Sequence, residues 1–313
     1  MFKKLFAAAL MSFSVAAFAV PFGSQSVLVV EDDTGKILLE KNADAVVPIA
    51  SLTKLMTAMV VLDANQDMDE LIEIDRSDVD TFKHSSSRVP VGSLISRRDV
   101  MQLALMSSDN RAAAALARTF PGGNAGFKAA VKRKIAALGM TQTVIEEPTG
   151  LSPRNRSNAG DLVKMAAASS KYPEITRMST ESKELINISG RKVEYRNTNR
   201  LVGADGWDIG LSKTGYISEA GRCLIMNIKA GGKNATMVLL NASASSARIL
   251  DALNVRRFLT GDEPVRVAKA ASSSGIKASS ARPRVKASAG GKAKAKAVKK
   301  RTKAKVVPKR RKK

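Results

Sequence analysis

The last fifty residues limit what the rest of the chain can fold into. Residues 264–313 carry 19 Lys and Arg, no Asp or Glu, and no aromatic side chain. Such a segment cannot bury enough apolar surface to offset the entropy lost on ordering it. It is expected to be a disordered basic extension rich in Lys and Ala. The 33 bases and 28 acids that precede it are nearly balanced, so the formal net charge of +24 belongs mainly to the tail. The global charge therefore does not argue for a nucleic-acid-binding fold.

The other end is equally distinctive. Met1–Ala19 reads MFKKLFAAALMSFSVAAFA: a basic start, an apolar run and the small-residue ending Ala17-Phe18-Ala19. This is the pattern of a cleavable secretory signal peptide. The apolar run is short for a bilayer span of ~20 residues. Cleavage is expected after Ala19, giving a mature chain outside the cytoplasm, in the periplasm. No later segment has 18 uninterrupted apolar residues, so no transmembrane segment is expected in the mature chain. The folded part is then residues 20–263, read as one catalytic domain.

Single residues exclude several chemistries. One Cys (Cys223) cannot form an internal disulfide, and one His (His84) rules out a multi-histidine metal site. His84 lies in the polar run Lys83–Ser87 and reads as a loop residue. Cys223 precedes the apolar run Leu224-Ile225-Met226 and reads as a buried thiol. Aromatic residues are only 4% of the chain, so the core rests on Leu, Ile, Val, Met and Ala.

Patterning places β-hairpins at both ends of the domain. Ser26–Glu31 and Ile37–Glu40 flank the turn Asp32-Asp33-Thr34-Gly35-Lys36. Leu224–Ala230 and Ala235–Asn241 flank Gly231-Gly232-Lys233. Helices are expected at Ser51–Asp63, Asp99–Ser107, Arg111–Thr119, Phe127–Leu138, from a capping box at Asn158–Asp161 through Ala168, and at Ser245–Leu259. Strands at both ends with helices between them predict an α/β sandwich. Its antiparallel sheet joins the two ends of the domain, and a helical lobe fills the middle.

Three short motifs carry chemistry. Ser51-Leu52-Thr53-Lys54 opens an apolar helix, and a spacing of three puts Ser51 and Lys54 on one face. A desolvated lysine amine can then take the serine proton. Ser108-Asp109-Asn110 offers a hydroxyl and an amide between two helices. Lys213-Thr214-Gly215 begins the terminal hairpin, where Lys and Thr can bind a carboxylate and Gly lets a ligand approach the strand. Alone, each has a plain reading as a cap, a turn or a solvated lysine. In this order, with SxN 57 residues after SxxK and KTG 105 residues after SxN, they match the signature of penicillin-binding proteins and class A β-lactamases.

Longer stretches make the resemblance specific. They are Pro48–Met59 (PIASLTKLMTAM), Leu103–Ala115 (LALMSSDNRAAAA), Glu147–Leu151 (EPTGL), Asn197-Thr198-Asn199 and Lys213–Leu224 (KTGYISEAGRCL), within about Val27 to Leu259. The chain resembles the low-molecular-mass penicillin-binding proteins, the D-alanyl-D-alanine carboxypeptidase family of serine peptidases, and within them the endopeptidases. The resemblance implies the β-lactamase/transpeptidase-like fold and no cofactor or metal. It implies that Ser51 is the acylated nucleophile, Lys54 its general base and Ser108 the proton shuttle. Asn110 would contact a substrate amide. Lys213 and Thr214 would position the substrate end and polarise Ser108, with Gly215 beside them. The backbone N–H groups of Ser51 and Tyr216 would form the oxyanion hole. Asp109 stands where Glu is expected in close relatives.

The implied reaction is hydrolysis of D-alanyl bonds in peptidoglycan stem peptides: crosslinks to diaminopimelate for an endopeptidase, terminal D-Ala for the alternative carboxypeptidase. β-Lactam antibiotics would acylate Ser51. A class A β-lactamase adds a deacylating glutamate in an ExxLN-like segment, which Glu146–Leu151 lacks. A non-catalytic wall-binding protein is disfavoured by the intact motifs. The basic tail is expected to meet the anionic envelope or wall surface, since a secreted chain does not normally meet nucleic acid.

Overall fold

The computed structural model describes residues 22–262; the leader and the basic tail lie outside the described residues. In chain order the strands and helices are β1 (Ser26–Glu31), β2 (Ile37–Lys41), β3 (Val47–Pro48), α1 (Thr53–Asp63), β4 (Leu71–Glu73), β5 (Leu94–Ser96), α2 (Arg97–Met106), α3 (Asn110–Arg118) and α4 (Gly123–Ala137). They continue with β6 (Arg156–Ser157), α5 (Ala159–Ser169), α6 (Pro173–Thr180), β7 (Lys183–Ile188), β8 (Arg191–Arg196), β9 (Asp208–Ile217), β10 (Gly221–Ala230), β11 (Lys233–Ala242) and α7 (Ser245–Thr260).

One antiparallel sheet of order β2-β1-β11-β10-β9 joins the two ends of the domain. This is the expected α/β sandwich. Alternation along β1 divides the core. Val27 and Val29 pack with Leu224, Met226, Met237 and Leu239 against Ala252, Val255 and Leu259 of α7. Leu28, Ile225, Val238 and Leu240 face the helical lobe. Because side chains alternate with period two, each central strand serves both layers at once.

Helix α1 is the axis of the lobe. Nine of its eleven residues are buried, Lys54 among them, and it touches α2, α3, α4, α5 and α6. A helix buried on all sides belongs at the centre of a core. Each of Leu55, Met56 and Met59 stabilises by roughly 1.5–3 kcal/mol when withdrawn from water. Their combined burial is what holds a lysine of the same helix inside the protein.

Several elements differ from expectation for physical reasons. The first helix opens with a 3-10 turn at Ala50–Leu52 and becomes α-helical at Thr53. Helix α4 starts at Gly123, four residues early, because left-handed Gly122 (φ 78°) leads into it; the Pro-Gly-Gly run is a junction between helices. Asn158 caps α5 by accepting from Asp161 N, but the Asp161 carboxylate accepts from Gln142 N and Thr143 Oγ1. The expected capping box is therefore half made. Lys213-Thr214-Gly215 lies inside β9, so the terminal unit is a three-stranded meander. The β7–β8 hairpin and α6 were not anticipated. The hairpin turn places Ser189 (φ 48°) and Gly190 (φ 86°) in the left-handed region. His84 is exposed, and Cys223 is buried with its thiol pushed up to about 11 by desolvation, both as expected. No described helix is long and apolar enough to cross a membrane.

The start of the sheet is tied down by one carboxylate. Buried Asp251 of α7 accepts from Gly23 N at 2.9 Å and Ser24 N at 2.7 Å. Removing it leaves two backbone donors without that partner, one of them buried, at about 1–3 kcal/mol each. Asp251→Ala is expected to lower the melting temperature by about 4–10 °C, measured by thermal unfolding. The active centre, which Asp251 does not touch, should remain reactive.

Candidate active site

The centre of the site is the Ser51–Lys54 pair. Lys54 is 1% exposed, and its Nζ donates to Ser51 Oγ at 2.9 Å, Asn110 Oδ1 at 2.7 Å and Thr149 O at 2.6 Å. Burial pushes its pKa down to about 8, against the opposing pull of the Glu147 and Asp109 carboxylates. An ammonium with its three donors placed this way is held in one orientation. When it loses a proton, the freed lone pair faces groups already in contact, Ser51 Oγ among them.

The turn after β5 and α2 brings in the second motif. Asp109 caps α3 by accepting from Ala112 N at 2.9 Å, and its other oxygen accepts from Ser87 Oγ at 2.7 Å. Asp suits this position because its short side chain reaches the third backbone amide of the helix it opens. The cap aims Asn110 at Lys54, while Asn110 Nδ2 donates to Ser85 Oγ at 2.9 Å. Ser108 is held at φ 59° and Ala50, just before Ser51, at φ 48°. Left-handed backbone is uncommon for residues with a Cβ, and two such residues in one site mark stored strain.

The third motif approaches Ser51 from β9. Lys213 is 1% exposed and donates to Thr214 O at 3.0 Å. Its pKa is lowered well below the ordinary lysine value by burial first, then by the Lys54 and Arg248 cations. Among the described residues Ser108 makes no side-chain hydrogen bond. Gly215 is where the strand passes Ser51. A Cβ there would lie 3.0 Å from Ser51 N and 3.1 Å from Ile49 O. Tyr216 is half exposed, with the Arg222 guanidinium 3.6 Å from its ring centroid. Ser51, Lys54, Asn110 and Gly215 thus come together, with Ser108, Lys213, Thr214 and Tyr216 beside them in the chain.

A further set was not anticipated. Glu147 accepts from Thr149 N, Thr149 Oγ1, Gly150 N, Ser152 N and Asn155 Nδ2. One carboxylate so gathered folds the 147–152 turn that presents Thr149 O to Lys54. Thr57 Oγ1 ties the same turn to α1 through Pro148 O at 2.8 Å. Gly150 (φ 84°) lies flat on Ala50, where a Cβ would come within 1.9 Å of the Ala50 oxygen. The Glu-Pro-Thr-Gly run was the available signal, but its contact with a lysine 95 residues earlier has no local signature.

Two cavities adjoin this centre. One of about 500 Å³ opens at Asn110 and Thr149 and is walled by Phe82, Phe127 and Arg154. The other, about 470 Å³ and more polar, opens at Ser108. Lys83 pairs with Glu219 at 2.5 Å, linking the loop after Asp80 to the β9–β10 turn, and the contact holds the Glu219 carboxyl down to about 2. No group of three or more His, Cys, Asp or Glu side chains among the described residues has metal-holding geometry.

Residues 14–244 match the family model described as D-alanyl-D-alanine carboxypeptidase. A D-alanyl-D-alanine endopeptidase of Pseudomonas aeruginosa is 45% identical over 75% of this chain and 77% of its own length. A D-alanyl-D-alanine endopeptidase of Escherichia coli is 43% identical over the same shares. Among solved structures, penicillin-binding protein D2 of Listeria monocytogenes in its ampicillin-bound form is 27% identical. It superposes with a TM-score of 0.67 over 78% of this chain and 99% of that one. The family match, the fold and the Ser51–Lys54 geometry agree: the chain belongs to the D-alanyl-D-alanine carboxypeptidase family of serine peptidases, hydrolases of the DD-peptidase type.

Proposed function

We propose that this chain is a D-alanyl-D-alanine endopeptidase that hydrolyses peptide crosslinks of peptidoglycan through an acyl-enzyme on Ser51. The observation that carries the reading is the 2.9 Å contact between Ser51 Oγ and a lysine whose pKa is lowered to about 8. At pH 7 roughly one such lysine in ten is neutral, enough for a general base working at each turnover. Neutral Lys54 takes the Ser51 proton as Oγ attacks the D-alanyl carbonyl. The N–H groups of Ser51 and Tyr216 receive the oxyanion. The proton passes through Ser108 to the departing nitrogen, the C–N bond breaks, and water then hydrolyses the ester. Asn110 holds the substrate amide, and Lys213 and Thr214, beside Gly215, hold the carboxylate next to the departing nitrogen. No cofactor or metal enters these steps.

The endopeptidase assignment over terminal D-Ala removal is supported by the names of the relatives with 43–45% identity. Penicillins, which mimic the D-Ala-D-Ala end, acylate Ser51 in this reading. The leader at 1–19 exports the chain to the periplasm, and residues 20–263 form the peptidase. The 264–313 tail, with 19 cations and no acid, holds it to anionic envelope or wall surfaces.

Three outcomes test this. Ser51→Ala should abolish cleavage of crosslinked muropeptide dimers, by a factor on the order of 10⁴ or more, as read by chromatography of the products. The acylation rate with labelled penicillin should rise with pH through an apparent pKa of about 8, because the base acts in its neutral form. A rate independent of pH from 6 to 9 would contradict the role of Lys54. Deleting residues 264–313 should weaken sedimentation with purified wall sacculi at low salt and leave peptidase turnover on soluble muropeptides in place. Unchanged sedimentation would sink the tethering idea.

A further inference from the structure

The polar cavity at Ser108 is walled by the 86–88 loop, the Ser107–Asp109 turn and β8 from Glu194 to Arg196. Backbone and side-chain bonds stitch β8 and its exit to the motif. Ser107 Oγ donates to Arg196 O at 3.2 Å and Thr198 N to Met106 O at 3.1 Å. Thr198 Oγ1 then lies 2.6 Å from Thr214 Oγ1. These bonds tie the residues that wall the cavity to Thr214 of β9.

Two guanidinium groups, Arg88 and Arg196, and two carboxylates, Asp109 and Glu194, line the cavity. The Arg88 guanidinium stacks on the Tyr195 ring at 4.1 Å and donates one bond to Glu194 O at 3.0 Å. Most of its five N–H donors have no acceptor among the described residues. Arg196 pairs with Glu194 Oε1 at 2.6 Å. Tyr195, 2% exposed, has a hydroxyl with no hydrogen-bond partner among the described residues. Buried hydroxyls are rarely left this way in a finished site.

We propose that this cavity is the subsite for the departing strand of a crosslinked substrate, with Arg88 and Arg196 reading that strand's carboxylates. The inference rests on the endopeptidase reading and deepens it. In acylation the Ser51 Oγ–carbonyl bond forms and the C–N bond breaks. The proton taken from Ser51 ends on the departing nitrogen by way of Ser108. Whatever is bonded to that nitrogen therefore begins beside Ser108. Free D-alanine ends at Lys213 and Thr214 and needs no further space. A departing stem peptide continues past them and carries further carboxylates. Planar guanidinium groups bind carboxylates in pairs of hydrogen bonds, and a cavity of about 470 Å³ is in the range that holds a sizeable ligand. Arg88 and Arg196 are accordingly specificity-determining residues, which separate crosslink cleavage from terminal trimming.

The test compares kcat/KM on crosslinked muropeptide dimers and on pentapeptide monomers, using the mature full-length enzyme. In Arg88→Ala and in Arg196→Ala the dimer-to-monomer ratio should fall about tenfold, mainly through KM for the dimer. Arg88→Lys, which keeps the charge and loses the planar fork, should recover part of it. Labelled penicillin checks that each variant is folded. As a measurement free of mutation, dimers with an amidated departing strand should be cut more slowly by the wild type. Wild-type cleavage of dimers with an unmoved ratio in both variants, and no effect of amidation, overturns the subsite alone. A wild type that takes penicillin but cuts no dimer overturns the endopeptidase reading and the subsite together.

Discussion

Burying a lysine beside a serine is the constraint on which the rest of the site depends. A lysine in water stays protonated near neutral pH and is a poor base, while one wholly removed from water sheds its proton readily. The cost of burial has to be offset by neighbouring structure. Here the offset comes from the apolar residues of α1 on either side of Lys54, and from three acceptors that meet its ammonium. Each acceptor belongs to a different part of the chain: Ser51 to the turn before α1, Asn110 to the start of α3, and Thr149 to the turn organised by Glu147. The Asp109 cap and the Glu147 cluster matter because they fix two of those acceptors. Gly150 and Gly215 matter because they let two backbones lie against Ala50 and Ser51.

The same dependence explains the strain. Ala50 and Ser108 both sit in left-handed backbone. Ala50 precedes Ser51, and Ser108 opens the second motif. The surrounding core over-determines both: Ala50 is pinned under Gly150, and the turn at Ser108 is bonded to β8 and its exit through Ser107 and Thr198. A conformation that would relax in a loose loop persists here because the packing leaves no alternative.

Much of this was legible in the sequence, and the reasons are specific. The sheet was readable because β1, β2, β10 and β11 are strongly β-patterned and bounded by turns. The three motifs that the fold brings together were readable because they occur in a fixed order with longer matching stretches around them. What escaped was non-local. Thr149 contributes a backbone oxygen, for which no residue type is diagnostic. Glu147 works through five donors that only the folded turn assembles. The β7–β8 hairpin hides in a polar stretch whose turn uses Ser189 rather than a typical Asn-Gly pair, and with it hid Tyr195 and the cavity beside Ser108.

The most direct test of this account is the titration of Lys54 itself. Heteronuclear NMR of the enzyme with isotope-labelled lysine, assigned by comparison with Lys54→Met, reads the side-chain carbon shift as pH is raised. The account predicts a midpoint of about 8 for Lys54. A midpoint near 10.5, the value of a lysine in water, would mean that burial does not prepare the base and that the Ser51–Lys54 contact is structural only.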